Sequence, residues 1–343
     1  MQEFKRQRAQ TMAASPFEVA YVPSASVGDV GDEEHLLAAI YYTPDGTSSA
    51  TMPGHITVPL QPLGNSLIEV WRSRTSLERD HADDIFFSRN EDVLFGHLCM
   101  AERDYGSLDA AIFEAYKRIY AFVRRQAFPH LLRIWNFLPD INGERDGMER
   151  YQAFCQGRHR ALERFTAQPV QLPAASAIGT QGDSLQIYFI AAHEPGSQVE
   201  NPRQISAFHY PPRYGPKSPA FSRAVIKRWD TSIHLYISGT ASIVGHESRH
   251  PFDTLAQLDE TLNNLEALVS HAGRLHSLDI HSVRELSLLK IYVREPGECD
   301  AIIARLVERL GAEIPMLPLR GDLCRRNLRL EIEGLCTGKG AAA

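Results

Sequence analysis

Cysteine and tryptophan are scarce in this chain, five and three among 343 residues. The cysteine number is odd and no two form a C-x-x-C pair. That excludes a disulfide framework and a zinc ribbon, and points to reduced thiols in a cytoplasmic protein. Long apolar runs are missing too. None approaches the ~20 residues that span a bilayer, so no membrane association is expected. An excess of positive charge is absent: the net charge is −6, which gives a nucleic-acid partner no electrostatic support. The opening "MQEFKRQRAQTMAASP" is basic but lacks the apolar stretch of a secretory leader. Residues 1–16 and 337–343 are expected to be disordered tails.

A metal site is not expected either, although "VGHESRHP" contains H-E-x-x-H, the zinc signature of metalloproteases. That motif works on a helix, where the two histidines share a face. Here Gly245 precedes it and Pro251 follows His250 directly, which pushes His250 out of helical geometry. The upstream "SIHLYISGTASIVG" has strand composition. The next helix is expected to begin only after Asp253, a good N-cap. His246 and His250 therefore fall on a strand-to-helix loop.

What is present is an ordinary globular composition, 43% hydrophobic and 23% charged, at a length that suggests about two domains. In the middle of the chain "DIFFSRNEDVLFGHLCM" reads as strand. "SLDAAIFEAYKRIYAFVRRQ" places Ile112, Tyr116, Ile119, Tyr120 and Val123 at helical spacing. "HLLRIWNFLPD" is again strand and "MERYQAFCQGRHRALERF" helix. The C-terminal half repeats this order, and "LLRIW" returns as "LLKIY". The expected fold is α/β (α+β): two mixed-sheet units, each with helices packed on one face of its sheet. An N-terminal domain is expected over 17–168 and a C-terminal one over 177–336, split near "AQPVQLPAASA".

The C-terminal half resembles the RidA/YjgF family, on the strand with S-G-T (Ser238–Thr240), on "LLKIYVREP" and on "LEIEGLC". A wider resemblance covers most of the chain. The stretches "LLRIWNFLPDINGERDGMERYQAFCQGRHRAL", "QIYFIAAHEPGSQVENPRQISAFHYPPRYGPKSPAFSRA", "LYISGTASIVGHESRHPFDTLAQLDETLNNLEAL" and "RGDLCRRNLRLEIEG" are similar to the chorismatase family, whose C-terminal domain is built on the RidA-like fold. This resemblance implies a small-molecule substrate, chorismate, whose enolpyruvyl group leaves as pyruvate. It implies no metal and no cofactor, and "GHESRHP" belongs to its pattern. Subgroups make a dihydroxycyclohexadiene carboxylate, 3-hydroxybenzoate, or a mixture with 4-hydroxybenzoate. The sequence allows a monomer or a small homo-oligomer. A RidA-like imine deaminase and a small-carboxylate-binding module are the alternatives from the same fold.

Chorismate carries two carboxylates and an acid-labile enol ether. Arginine forks suit the carboxylates, and a carboxylic acid still protonated near neutral pH suits the ether's terminal methylene carbon. "RLEIEGLC" offers Glu331 and Glu333, two apart on a strand and so on one face. The residues leave the choice between them open; the resemblance assigns the acid to Glu331. The loop "YPPRYGPKSPAFSRA" supplies basic and aromatic groups, and the resemblance turns Tyr214, Arg223 and Arg213 toward substrate. In "CQGRHRAL", Arg158 and Arg160 cannot share a helix face, and Arg158 is the one expected to reach the site. Gly239 permits close backbone approach, Thr240 adds a hydroxyl, and the resemblance sets Ala241 against the substrate ring. It also marks Cys324, seven residues before the acid, as product-steering together with Ala241. A cysteine there is the type seen in hydroxybenzoate-forming members.

Overall fold

Short runs rich in Val, Ile and Tyr, broken by Pro, Gly and Asn, fold as strands. The computed structural model describes residues 15–24, 33–44, 49–166, 171–230 and 232–339. Strands β1 (Phe17–Pro23), β2 (Leu36–Tyr42), β3 (Ser49–Met52), β4 (His55–Val58) and β5 (Leu67–Ser73) form a first sheet in the order β1-β5-β2-β4-β3.

A second sheet follows from β6 (Glu78–Ala82), β7 (Ile85–Arg89), β8 (Val93–Ala101), helix α1 (Leu108–Arg125), β9 (His130–Pro139), the small ribbon β10 (Glu144–Arg145) and β11 (Met148–Glu149), helix α2 (Arg150–Phe165), β12 (Ala174–Thr180) and β13 (Ser184–Ala192). Its order is β12-β9-β13-β8-β7-β6, with β12 and β9 parallel. A third sheet uses β14 (Ser197–Val199), β15 (Ala224–Arg228), β16 (Ser232–Thr240), the ribbon β17 (Ile243–Val244) and β18 (Glu247–Ser248), α3 (Thr254–His276), β19 (Leu288–Val293), α4 (Cys299–Leu310), β20 (Met316–Arg320) and β21 (Leu330–Lys339). Its order, β20-β19-β21-β16-β15-β14, repeats the second strand for strand, again with one parallel pair.

The repeat read from "LLRIW" and "LLKIY" is therefore a repeat of topology. Arg133 and Trp135 on β9 hold the places of Lys290 and Tyr292 on β19. Across from Arg133 and Trp135 on β13 stand Ile190 and Tyr188. Across from Lys290 and Tyr292 on β21 stand Glu333 and Glu331. The acid pair belongs to the second unit alone.

The division expected between 168 and 177 falls elsewhere. Strands β12 and β13 complete the second sheet, which runs to Ala192, because the last strand of each unit in chain order is central in its sheet. The Pro/Ala-rich segment runs into that unit: its last four residues, 174–177, are the start of β12. The region after residue 17 also holds a separate five-stranded sheet that the periodicity did not separate. Thr337–Lys339, expected as a tail, continues β21 and pairs with Ser232–His234. Ser15 is buried, with Oγ 2.8 Å from His234 Nε2. The other tail residues, 1–14 and 340–343, lie outside the described residues.

Helices α1 and α2 cover one face of the second sheet, and α3 and α4 one face of the third. All five apolar residues placed at helical spacing on α1 are buried. Gly157 lets α2 approach α1: a Cβ there would sit 2.3 Å from the Asp109 carbonyl oxygen. Asp253 caps α3 as expected, accepting from Ala256 N at 2.9 Å. The remaining faces of the three sheets share one core, with Trp71, Phe95, Trp135, Tyr188, Tyr236 and Tyr292 at its centre.

Within that core four charges are buried: Glu69 of the first sheet, Arg133 of the second, and Lys290 and Glu333 of the third. Lys290 Nζ lies 2.6 Å from Glu69 Oε2 and 3.3 Å from Glu333 Oε1, and Arg133 Nη2 lies 2.7 Å from Glu333 Oε2. Breaking such a buried pair from one side costs about 3–5 kcal/mol.

Candidate active site

The edge strand β12 of the second sheet packs against β16 of the third, near the irregularity between Ile237 and Thr240 where the β16–β21 register shifts. Ala175 N donates to Ser238 Oγ at 2.8 Å, and Gly239 N donates to Ser176 Oγ at 3.1 Å. A cavity of about 160 Å³ opens on this seam, walled by α2, the 207–223 loop and the connection into β21. One water needs only ~10–15 Å³, so the space takes a small organic molecule.

Glu331 and Glu333 do share a face of β21, but their surroundings differ. Glu331 lines the cavity while 5% exposed. Burial first and the neighbouring Glu333 second push its carboxyl up to about 8, against the opposing pull of Arg133 and Arg223. Its carboxylate lies directly over Gly239. A Cβ at residue 239 would come within 1.8 Å of Glu331 Oε1, so any side chain there would push the Glu331 carboxyl out of this position.

Glu333 points away into the buried charge cluster. It accepts from Arg133 Nη2 (2.7 Å), Ser176 Oγ (2.6 Å) and Trp135 Nε1 (2.7 Å). Burial alone would raise its carboxyl, but Lys290 and Arg133, with the Ser176 and Trp135 hydrogen bonds, hold it below the usual range. One carboxyl is kept as an acid and the other as an anion, a separation of roles by environment.

Arg158 comes from α2 and is 3% exposed. Its guanidinium lies 5.1 Å from the Tyr116 ring centroid, and its Nε and Nη2 have no hydrogen-bond partner among the described residues. Arg160 points outward to Asp109 Oδ2 at 3.2 Å, so the helix period selects between the two arginines as expected. Arg223 is also buried. Its Nη2 donates to Tyr210 Oη (2.7 Å) and Ile205 O (3.0 Å), while Nε is unpartnered among the described residues. Unsatisfied buried donors of this kind are rare and expensive. Both residues line the cavity and bring two positive charges to it.

Arg213 and Tyr214 sit on the rim. Arg213 is exposed and donates to Glu247 Oε1 at 3.0 Å, and Tyr214 Oη lies 3.1 Å from His246 Nδ1. His250 turns elsewhere, with Nε2 3.2 Å from Glu260 Oε2. The two histidines thus serve different partners ahead of α3, and they share no helix face. Ala241 and Cys324 line the cavity, and burial, followed by Glu331, raises the Cys324 thiol to about 12. Thr240 does not line it. Strand alternation turns its side chain away from Gly239 and Ala241, and Oγ1 donates to Ser238 O at 3.0 Å.

Several lining residues escaped the sequence reading. Tyr151 and Cys155 precede Arg158 by seven and three positions on α2, so the helix face that carries Arg158 carries them too. Tyr210 and Arg325 form the outer wall. The Arg325 guanidinium lies 4.2 Å from the Tyr214 ring centroid, and its Nη1 donates to His246 O at 2.9 Å. Ser176 comes from the strand opposite and gave no local signal.

The family pattern described as "Chorismatase FkbO/Hyg5-like, N-terminal" matches residues 69–191. A 3-hydroxybenzoate synthase of Streptomyces hygroscopicus is 33% identical over 284 residues, 80% of this chain and 82% of that one. A chorismatase of Streptomyces rapamycinicus is 34% identical over 280 residues, 79% and 82% of the two chains. The crystal structure of a chorismatase superposes with a TM-score of 0.86 at 28% identity, covering 95% of this chain and 100% of that one. With this identity sustained over four-fifths of both chains, and the same fold along nearly its whole length, this enzyme belongs to the chorismatase family.

Proposed function

We propose that the enzyme converts chorismate into pyruvate and a hydroxybenzoate, mainly 3-hydroxybenzoate with 4-hydroxybenzoate as the minor alternative. The observation that carries this reading is a buried Glu331, its carboxyl pushed up to about 8, lining a cavity that the buried Arg158 and Arg223 also line. The two arginines take the two substrate carboxylates, with Arg213 and Tyr214 closing the rim. Glu331 gives its proton to the terminal methylene carbon of the enol ether. The side chain becomes an oxocarbenium ion, and its bond to ring C3 weakens. The C4 hydroxyl oxygen attacks C3, the C3–O bond breaks, and its electron pair leaves with pyruvate. The C4 hydroxyl proton returns to Glu331. The ring epoxide then opens and loses a ring proton, giving the phenol. Atoms balance without water: chorismate equals pyruvate plus hydroxybenzoate.

Water is the competitor. If it captures the oxocarbenium carbon, hemiketal collapse gives the diene diol instead. An ordered water needs polar partners. Cys324, a neutral thiol beside Glu331, is a poor one. Ala241 on the facing turn is small, and it keeps hydrolysis as the second reading. Cys324→Ala is expected to shift product toward the diol. Chromatographic separation of ring products from both proteins checks this, and a wild type yielding only diol overturns the product assignment. Coupled lactate dehydrogenase follows pyruvate with and without chelator; turnover that survives chelation supports metal-free chemistry. The free thiols agree with a cytoplasmic enzyme, working as a monomer or small homo-oligomer on a small-molecule substrate.

A further inference from the structure

Behind Glu331 lie four buried charges that do not line the cavity: Glu333, Arg133, Lys290 and Glu69. A buried ion network is a weak source of stability, since apolar groups of similar volume hold a core as well. The chain contains its own comparison. At the places equivalent to Glu333 and Glu331, the first unit has Ile190 and Tyr188, and that sheet is closed by an aromatic stack on Trp135. Packing the core face at these two positions therefore does not require acids.

We infer that Glu333 is a fixed anion set beside Glu331 so that Glu331 meets the substrate as an acid, with Arg133 and Lys290 holding that anion ionised and Glu69 fixing Lys290. This rests on Glu331 being the proton donor. Glu333 is a positioning residue: it touches Ser176, Arg133, Trp135 and Lys290, not the cavity. The connection is short. Ser176 Oγ donates to Glu333 and accepts from Gly239 N, and Gly239 is the residue under the Glu331 carboxyl.

The groups around Glu331 divide by element. Glu333 shares its strand, and Tyr292 faces it from β19. Arg133 comes from β9, and Tyr151 and Cys155 from α2. Arg223 precedes β15, and Cys324 and Arg325 precede β21. The arginines favour the carboxylate form and Glu333 opposes them, in addition to burial. When substrate carboxylates occupy Arg158 and Arg223, the pull of Arg223 is answered by substrate while the charge on Glu333 stays.

Lys290 fits this arrangement through its two anions. Its ammonium is divided between Glu69 and Glu333; Tyr42 Oη donates to the same Glu69 oxygen, Oε2, at 2.6 Å, and Trp71 Nε1 to Oε1 at 3.0 Å. The quartet carries two charges of each sign and is neutral as a whole, while the member that acts most strongly on Glu331 is the anion Glu333.

The test is the pH profile of kcat for wild type, Glu331→Gln, Glu333→Gln and Glu333→Asp, by pyruvate release from chorismate. Wild-type turnover is expected to fall above about pH 8. In Glu333→Gln the fall is expected about one pH unit lower, a roughly tenfold loss at pH 9 with little change at pH 6. Glu333→Asp, which keeps the charge, restores the wild-type profile. Should Glu333→Gln not fold, the double variant Glu333→Gln, Lys290→Met removes one charge of each sign and carries the same expectation. A uniform drop at every pH, with the falling limb in place, overturns the inference and leaves Glu331 as the acid. An active Glu331→Gln overturns the Glu331 assignment itself and this inference with it.

Discussion

Glu331→Gln is expected to fold normally and to lose at least the ~100-fold in turnover that follows removal of a general acid. The amide keeps the shape and the contact over Gly239 but has no acidic proton. Pyruvate release under saturating chorismate measures the loss, and wild-type turnover in this variant would remove Glu331 from the chemistry. The same substitution has a stability signature. The folded protein holds Glu331 at about 8 against an ordinary value of 4.5. The unfolded chain therefore gives up this proton first. Stability associated with the group is complete below about 4.5 and is lost as pH rises through about 8. Glutamine cannot ionise, so the variant should melt higher than wild type at pH 8 and at the same temperature at pH 4. Equal melting temperatures at both pH values would mean that Glu331 is not held protonated.

The second large effect is expected at Arg158. Its Nε and Nη2 make no bond to the described protein, so Arg158→Met removes no hydrogen bond of theirs from the folded enzyme. What is lost is the partner of a substrate carboxylate. Truncating one side of a buried charge pair costs about 2–5 kcal/mol, which at 1.4 kcal/mol per tenfold is roughly 30-fold to a few thousand-fold in kcat/KM. Thermal stability should hold or rise, because an unsatisfied buried cation leaves the core. Arg160→Ala, two residues along and facing solvent with Asp109, is the control and should leave kcat/KM unchanged. Equal effects at the two positions would rule out Arg158 as a specific clamp.

What could be read from the sequence follows from how far each signal reaches along the chain. The period of a strand put Glu331 and Glu333 on one face, and the period of a helix chose Arg158 over Arg160; both are local. The same strand period, applied to Gly239–Ala241, would have turned Thr240 away, where three consecutive residues were taken together. Which glutamate is the acid was not legible from the residues alone. The answer depends on Arg133, Trp135 and Ser176, brought to Glu333 from 157 to 200 positions away. The "HESRH" loop was legible because Gly245 and Pro251 act on their neighbours. The domain division is not legible for a local reason as well: Pro173 stands directly before β12, and nothing nearby says whether that strand joins the sheet before it or the one after.

The equivalence of Tyr188 with Glu331 has a consequence for how such an enzyme can arise. Identical subunits around a symmetry axis must carry the same residue at each seam, so an acid that serves one seam burdens all of them. Two copies joined in one chain escape that rule. One unit buries an aromatic stack of Tyr188 on Trp135, Phe95 and Phe137 at that place, and so secures the fold. The other carries the two neighbouring carboxyls of Glu331 and Glu333 instead. Division of labour between duplicates, usually described for separate genes, here operates between two sheets of a single molecule.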